Sequence, residues 1–177
     1  NSIFPKLISV TAMSVILKQL VVENVNIRNF RLILQAIAEY YSARKEGNLK
    51  AYSATSFLLD TVDSKIILAE LLSYIRCTLS QSIVRNCILD NKLSAYILAQ
   101  DIDEIFSNTT LLGEHIDPEL LQACMRDVSA LLQKQDHKPL VIITTRYART
   151  AFSQLLSFLK DEVVVLSSDE VTEGVEL

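Results

Sequence analysis

Side chains able to run catalysis are scarce in this chain of 177 residues, and the few present are poorly spaced for it. Its three glycines, Gly47, Gly113 and Gly174, stand far apart. Neither the paired glycines of a dinucleotide-binding turn nor the cradle of a P-loop can be built from them, so both routes to a nucleotide are closed. The two histidines, His115 and His137, lie beside loop signals, and no G-x-S-x-G elbow occurs. A Ser-His-Asp or Cys-His arrangement therefore has few bases to draw on, and both histidines read as solvated loop residues. Cys77, Cys87 and Cys124 are odd in number and lack C-x-x-C spacing, which suits small buried hydrophobes in a reducing compartment. Asp101, Asp103 and Glu104 bunch as metal ligands do, but positions two apart diverge around a helix, and acids at a helix start act ordinarily as caps and dipole partners. Asp60 and Asp63 take the same reading. Thr144, Thr145 and Ser167 fall where a parallel sheet would present a ligand, and helix capping accounts for them equally well. The chemistry left over is binding, with no metal, no cofactor and no enzymatic activity expected.

Charge and hydropathy narrow the partners. Seventeen basic and twenty-one acidic residues give a net charge of −4, and the isoelectric point is near 5.2, so a phosphate backbone is repelled. The best basic doublet, Arg44-Lys45, runs straight into Glu46, and no nucleic-acid partner is expected. A hydrophobic fraction of 50% with mean hydropathy +0.27 gives enough apolar surface for a packed core without staples. The longest apolar runs, Leu140 to Ile143 and Val163 to Leu166, fall far short of the ~20 residues needed to span a bilayer. The chain opens without Met or a signal-peptide pattern, and we read it as part of a longer protein.

The elements that position these residues follow from periodicity. Ser9 or Thr11 caps a first helix reaching about Glu23, and Asn26 caps a second in which Ile27, Phe30, Leu34, Ile37 and Tyr41 form one stripe. Ile33, Ala36 and Tyr40 widen that stripe and leave a narrow polar line of Arg28, Arg31, Gln35 and Glu39. Residues 42–61 read as a loop with one short helix over Ala51 to Leu59. A long helix then runs from Asp63 or Ser64 through Ile83 to about Asn86. After Asp90-Asn91 the pattern changes. Leu93 to Ile97 alternates as a strand, Asp101 to Asn108 is a short helix, and Asp117-Pro118 opens a longer one. Strand, helix and strand follow over Leu140–Ile143, Tyr147–Leu159 and Val163–Leu166, an order that demands a right-handed parallel crossover. The fold class expected is α+β: a helical bundle subdomain over residues 1–88, then a small α/β subdomain with a mostly parallel sheet over 89–177, each with its own core.

Three stretches carry a resemblance. Residues 23–39, ENVNIRNFRLILQAIAE, resemble the signature E-x-V-S-I-R-[DN]-[LM]-R-x-I-L-E-A-L-A-E of the FlhA/InvA/SctV export-gate proteins of flagellar and virulence type III secretion. Residues 75–83, IRCTLSQSI, are similar to that family's V-R-x-x-L-x-R-x-I. The third stretch is the C-terminal unit, with Asp117-Pro118, then Val141-Ile142-Ile143 before Arg149, then Val164-Val165-Leu166-Ser167 before Glu170, in the family's order. Gln81 stands where the family has Arg and Asp161 where it often has Pro, and the connection from Tyr40 to Val62 is longer than usual, which marks a divergent member.

The resemblance implies the third and fourth cytoplasmic subdomains of an inner-membrane protein, held in the membrane only through an N-terminal part not present here. It implies a homo-oligomeric ring, nine-fold in the family, that receives export chaperone–substrate complexes, a gatekeeper protein and the export ATPase stalk protein. The residues expected at oligomer or partner interfaces are Arg28, Asn29, Arg31, Gln35 and Glu39, with Arg76 and Arg149. An ion pair within the chain, such as Arg31 with Glu70, is the competing role for the polar line. A helical adaptor of an unrelated complex is the competing function, and an α/β enzyme a distant third.

Overall fold

In the computed structural model, residues 8–46, 62–89, 92–135 and 139–171 are described. Helix α1 spans Val10–Val22, and Ser9 caps it by accepting from the Ala12 amide at 3.1 Å. It ends in a Schellman turn: Asn24 takes a left-handed conformation with φ 55°, the Asn24 amide donates to Val21 and the Val25 amide to Leu20. Helix α2, Phe30–Glu46, starts later than expected. The Asn26 side chain accepts from the Arg28 amide at 2.9 Å and so shapes a turn, while the first helical carbonyl is that of Asn29. It also ends later, taking in residues 42–46. Ser42 turns its hydroxyl back onto the Ala38 carbonyl at 2.8 Å and stays inside the helix. The short helix expected over Ala51 to Leu59 lies outside the described residues.

The expected single long helix is broken in two. Helix α3 is Val62–Thr78, so Asp63 sits inside its first turn, and α4 is Ser80–Arg85. At the break the Thr78 hydroxyl bonds back to the Tyr74 carbonyl, and the Leu79 amide is shared between the Ile75 and Arg76 carbonyls, which tightens the last turn. The bend sends α4 toward the sheet.

That sheet is three-stranded and parallel, in the order β1 (Tyr96–Ile97), β2 (Leu140–Thr144), β3 (Val163–Ser167). Of the strand expected over Leu93 to Ile97, only the last two residues pair. Helix α5 is Gln100–Leu112, longer than expected and stopped by Gly113 at φ 71°; α6 is Pro118–Lys134 behind its Asp117 cap; and α7 is Arg146–Leu155, whose last expected turn is instead 3-10, Ser157–Leu159. A second 3-10 turn, Ser168–Glu170, follows β3.

The fold is thus α+β, helices first and a small parallel sheet after. One apolar cluster joins α1, α2 and α3 through residues such as Ile16, Leu20, Ile37 and Leu71. A second packs α5, α6 and α7 on one sheet face, that of Leu140, Ile142, Val163 and Val165, with Phe106 and Phe152 in edge-to-face contact at 5.0 Å. The opposite face, Val141 and Leu166, is covered by Val84 of α4 and by Leu93. Alternation along β2 and β3 therefore serves two different layers of helix.

Candidate functional site

The expected interface residues part into two groups. Arg28, Asn29, Arg31, Gln35 and Glu39 are exposed, although Arg28 and Asn29 precede α2 instead of riding on it. Gln35 donates to Glu39 at 2.8 Å, and the Tyr74 hydroxyl reaches Glu39 at 3.5 Å. Neither guanidinium meets a carboxylate among the described residues, and Glu70, the acid expected to hold Arg31, instead receives the hydroxyls of Tyr40 and Tyr147. Phe30, expected in the core stripe, is 39% exposed, as is Leu32. Beside them Asn29, Leu32, Thr78, Gln81, Ser82 and Arg85 line a recess of about 610 Å³. The face at the start of α2 thus combines apolar side chains with three guanidinium groups, those of Arg28, Arg31 and Arg85.

Arg76 and Arg149 correct the expectation. They are 1% and 0% exposed, so neither offers a surface to a partner. Their spacing in the sequence signals a guanidinium, but only the fold shows that it points inward. Both belong to a buried cluster with Glu23, the C-terminal cap of α1, and Glu170, the last residue of the turn after β3. Arg76 grips Glu170 with two parallel bonds, Nε to Oε1 at 3.0 Å and Nη2 to Oε2 at 2.7 Å, and reaches Glu23 Oε2 with Nη1 at 3.1 Å. Arg149 Nη1 donates to the same Glu23 oxygen. Its Nε lies 3.4 Å from Glu170 Oε1, close enough to pair charges but not aligned for a hydrogen bond. The cluster is charge-balanced, two cations against two anions.

The carboxylates decide the protonation states. Burial alone would lower the Arg76 pKa, but Glu170 and Glu23 raise it above the ordinary guanidinium value. Burial alone would raise that of Glu170, yet the charges of Arg76 and Arg149 and the bonds from Arg76 and Ser167 hold it below the usual carboxylate range. Glu23 and Glu170 were the residues that sequence reasoning missed. Glu23 closes a helix and Glu170 stands in an acidic run, and both patterns read as solvent-facing.

At the carboxyl ends of the strands, the polar side chains among the described residues are bonded within the chain. Thr144 donates toward the Leu166 and Thr145 carbonyls, and Ser167 forms a capping box with Glu170. Thr145 stands at the start of α7, and its amide and hydroxyl both donate to Asp103, at 2.8 and 2.6 Å. Asp103 lies in the first turn of its own helix, as expected, but its carboxylate serves a different one. His115 is exposed and His137 lies outside the described residues. Cys124 is buried, while Cys77 and Cys87 are half-buried; burial raises all three thiols, that of Cys87 to about 11. Among the described residues no cluster of metal-ligating side chains is formed.

This architecture recurs in several solved structures. The structure of the Shigella flexneri MxiA protein aligns with 96% of this chain and 50% of its own at a TM-score of 0.71 and 16% identity. That of the Chlamydia pneumoniae CdsV and CdsO complex aligns with 96% of this chain and 45% of its own, at 0.66 and 20%. Nonameric EPEC SctV-C aligns with 94% and 46%, at 0.65 and 22%. These likenesses establish the fold. The model of the FHIPEP family matches residues 1–176, and the chain belongs to that family, that of the FlhA/InvA/SctV export-gate proteins. Flagellar biosynthesis protein FlhA of Buchnera aphidicola subsp. Schizaphis graminum is 27% identical over 178 residues, covering 98% of this chain and 22% of that protein. FlhA of Buchnera aphidicola subsp. Acyrthosiphon pisum is 25% identical over 181 residues, covering 100% and 23%. The chain thus spans less than a quarter of the relatives' length. Family membership sets aside the unrelated adaptor. Among the described residues no helix is long and apolar enough to cross a membrane.

Proposed function

We propose that this chain is an assembly and docking module of a type III export gate and that it binds without catalysing. The observation that carries this is the face at the start of α2, where Phe30 and Leu32 are exposed among guanidiniums that no carboxylate within the described residues satisfies. Arginine beside exposed apolar side chains is the composition of an interface core, since its forked donors match carboxylates across a contact. The occupant is a second copy of the chain in a closed ring, a reading supported by the nonameric relative SctV-C. The C-terminal half takes the export ATPase stalk protein, a reading supported by the structure that pairs CdsV with CdsO. Chaperone–substrate complexes and a gatekeeper are further partners on the family pattern. In this reading residues 1–88 form the ring-building subdomain and 89–177 the docking subdomain. Segments outside these residues hold the longer protein in the bacterial inner membrane, with this part on the cytoplasmic side.

Reversing charge with Arg28→Glu and Arg31→Glu in the full-length protein tests the ring. Expected are loss of oligomers in mass photometry and loss of secretion, with the monomer's melting temperature unchanged because both side chains are solvated. Rings and secretion that survive the reversal would exclude this face.

A further inference from the structure

We propose that Glu170 is a clasp, the chain's own carboxylate seated as a removable ligand in a two-arginine site that α3 and α7 build between them. Both guanidiniums of the site, and one of its anions, come from elements other than the turn that fills it. Arg76 comes from the end of α3, Arg149 from α7, and Glu23 at the end of α1 holds both guanidiniums from the far side. What Glu170 adds is the second anion, delivered by a three-residue 3-10 turn after the last strand. That turn is shaped for delivery: the Ser167 hydroxyl donates to Oε1 at 3.0 Å and its amide approaches the same oxygen at 3.4 Å. The two oxygens meet a bidentate guanidinium, the geometry a free carboxylate adopts with arginine. Arg149 Nε, left without a hydrogen bond, shows that one donor of the site is not used by the tethered acid.

The clasp does two things. It pins residues 168–171 to the body, helped by the solvated Arg146–Asp169 pair, by the Cys77 thiol donating to the Asp169 carbonyl at 3.7 Å and by Val171 packed against the third apolar cluster. It also holds Arg76 where its Nη2 takes the Val165 carbonyl at 3.0 Å, so the same guanidinium that holds the turn also binds the β3 backbone. Opening the clasp would free residues 168–171 and release that carbonyl in one event.

Amide hydrogen exchange on the full chain tests this with Glu170→Ala, read with and without sodium acetate at constant ionic strength. The variant is expected to lose protection at the amides of 165–171 by about a hundredfold more than in α2, the scale on which stranding a buried charge acts. Acetate restores that protection and chloride does not. Asp169→Asn, which breaks the surface pair, leaves it unchanged. An equal loss of protection throughout the molecule, or acetate no better than chloride, would overturn the proposal. Should Glu170→Ala fail to fold, Glu170→Asp keeps the charge with a shorter reach: selective loosening of 165–171 supports the clasp, and uniform protection defeats it.

Discussion

Arg76 illustrates how one side chain can be both costly and indispensable. A guanidinium and a carboxylate taken from water lose hydration that their attraction barely restores, so the buried cluster is a poor argument for stability taken whole. Removing one member is different, because the others are stranded. Arg76→Met should cost about 3–5 kcal/mol in urea denaturation, and the double variant Arg76→Met with Glu170→Leu should be less destabilised than the sum of the two singles, since Glu23 and Arg149 remain as a balanced pair. Additive effects would mean that the pair does not interact. Acid acts on the same atoms. The Glu170 pKa is lowered in the fold from an ordinary value of 4.5, so its contribution is fully present above that value and is lost as pH falls through the lower, folded one. Urea melts taken from about pH 4.5 downward should show wild type losing stability and Glu170→Gln, lower throughout, losing less.

At the scale of elements, α7 is anchored by a neighbour. Asp103 of α5 accepts from the Thr145 amide and hydroxyl, so a donor freed by the helix start is satisfied across a tertiary contact in place of a local cap. Asp103→Ala should cost about 1–2 kcal/mol, at the upper end of cap removals because the group is buried, and should speed exchange in the first turn of α7 before that of α6. Unchanged exchange there would show that the helix start holds without it. The break between α3 and α4 follows a similar logic. The Thr78 hydroxyl and the shared Leu79 amide tighten the end of α3, and the bend lets Val84 reach Val141 and Leu166 on the sheet.

For the whole molecule, the two apolar clusters are tied together by the charge cluster, the Val84–Leu166 layer, the Tyr147 hydroxyl donating to Glu70 at 3.4 Å, and the Asn24 side chain donating to the Lys160 carbonyl at 2.9 Å. Calorimetry should therefore give a single transition with calorimetric and van't Hoff enthalpies near equal, although each half has an apolar cluster of its own. Two resolved transitions would show that the connections across the boundary carry little free energy.

Periodicity alone determined the α+β class, the parallel crossover and most of the element order, though not the break between α3 and α4, because apolar residues at spacings of three and four, or in β-branched runs, leave one sensible way to bury them. The run from Glu23 to Glu39 gave the family for the same reason: it is local and contiguous. What the tertiary structure decided was direction. Arg31 and Arg76 were both expected at an interface, yet one faces water and the other lies fully buried. The difference is set by Glu23 and Glu170, which are 53 and 94 residues from Arg76 and come within reach only when α1, α3 and the turn after β3 pack together. Phe30 reversed in the opposite sense: its spacing fits the core stripe, but the helix begins at Phe30 itself, with no preceding turn to cover it. A charge is buried only where its partner arrives, and an apolar side chain only where a neighbouring element covers it; both conditions are long-range, and no local pattern encodes them.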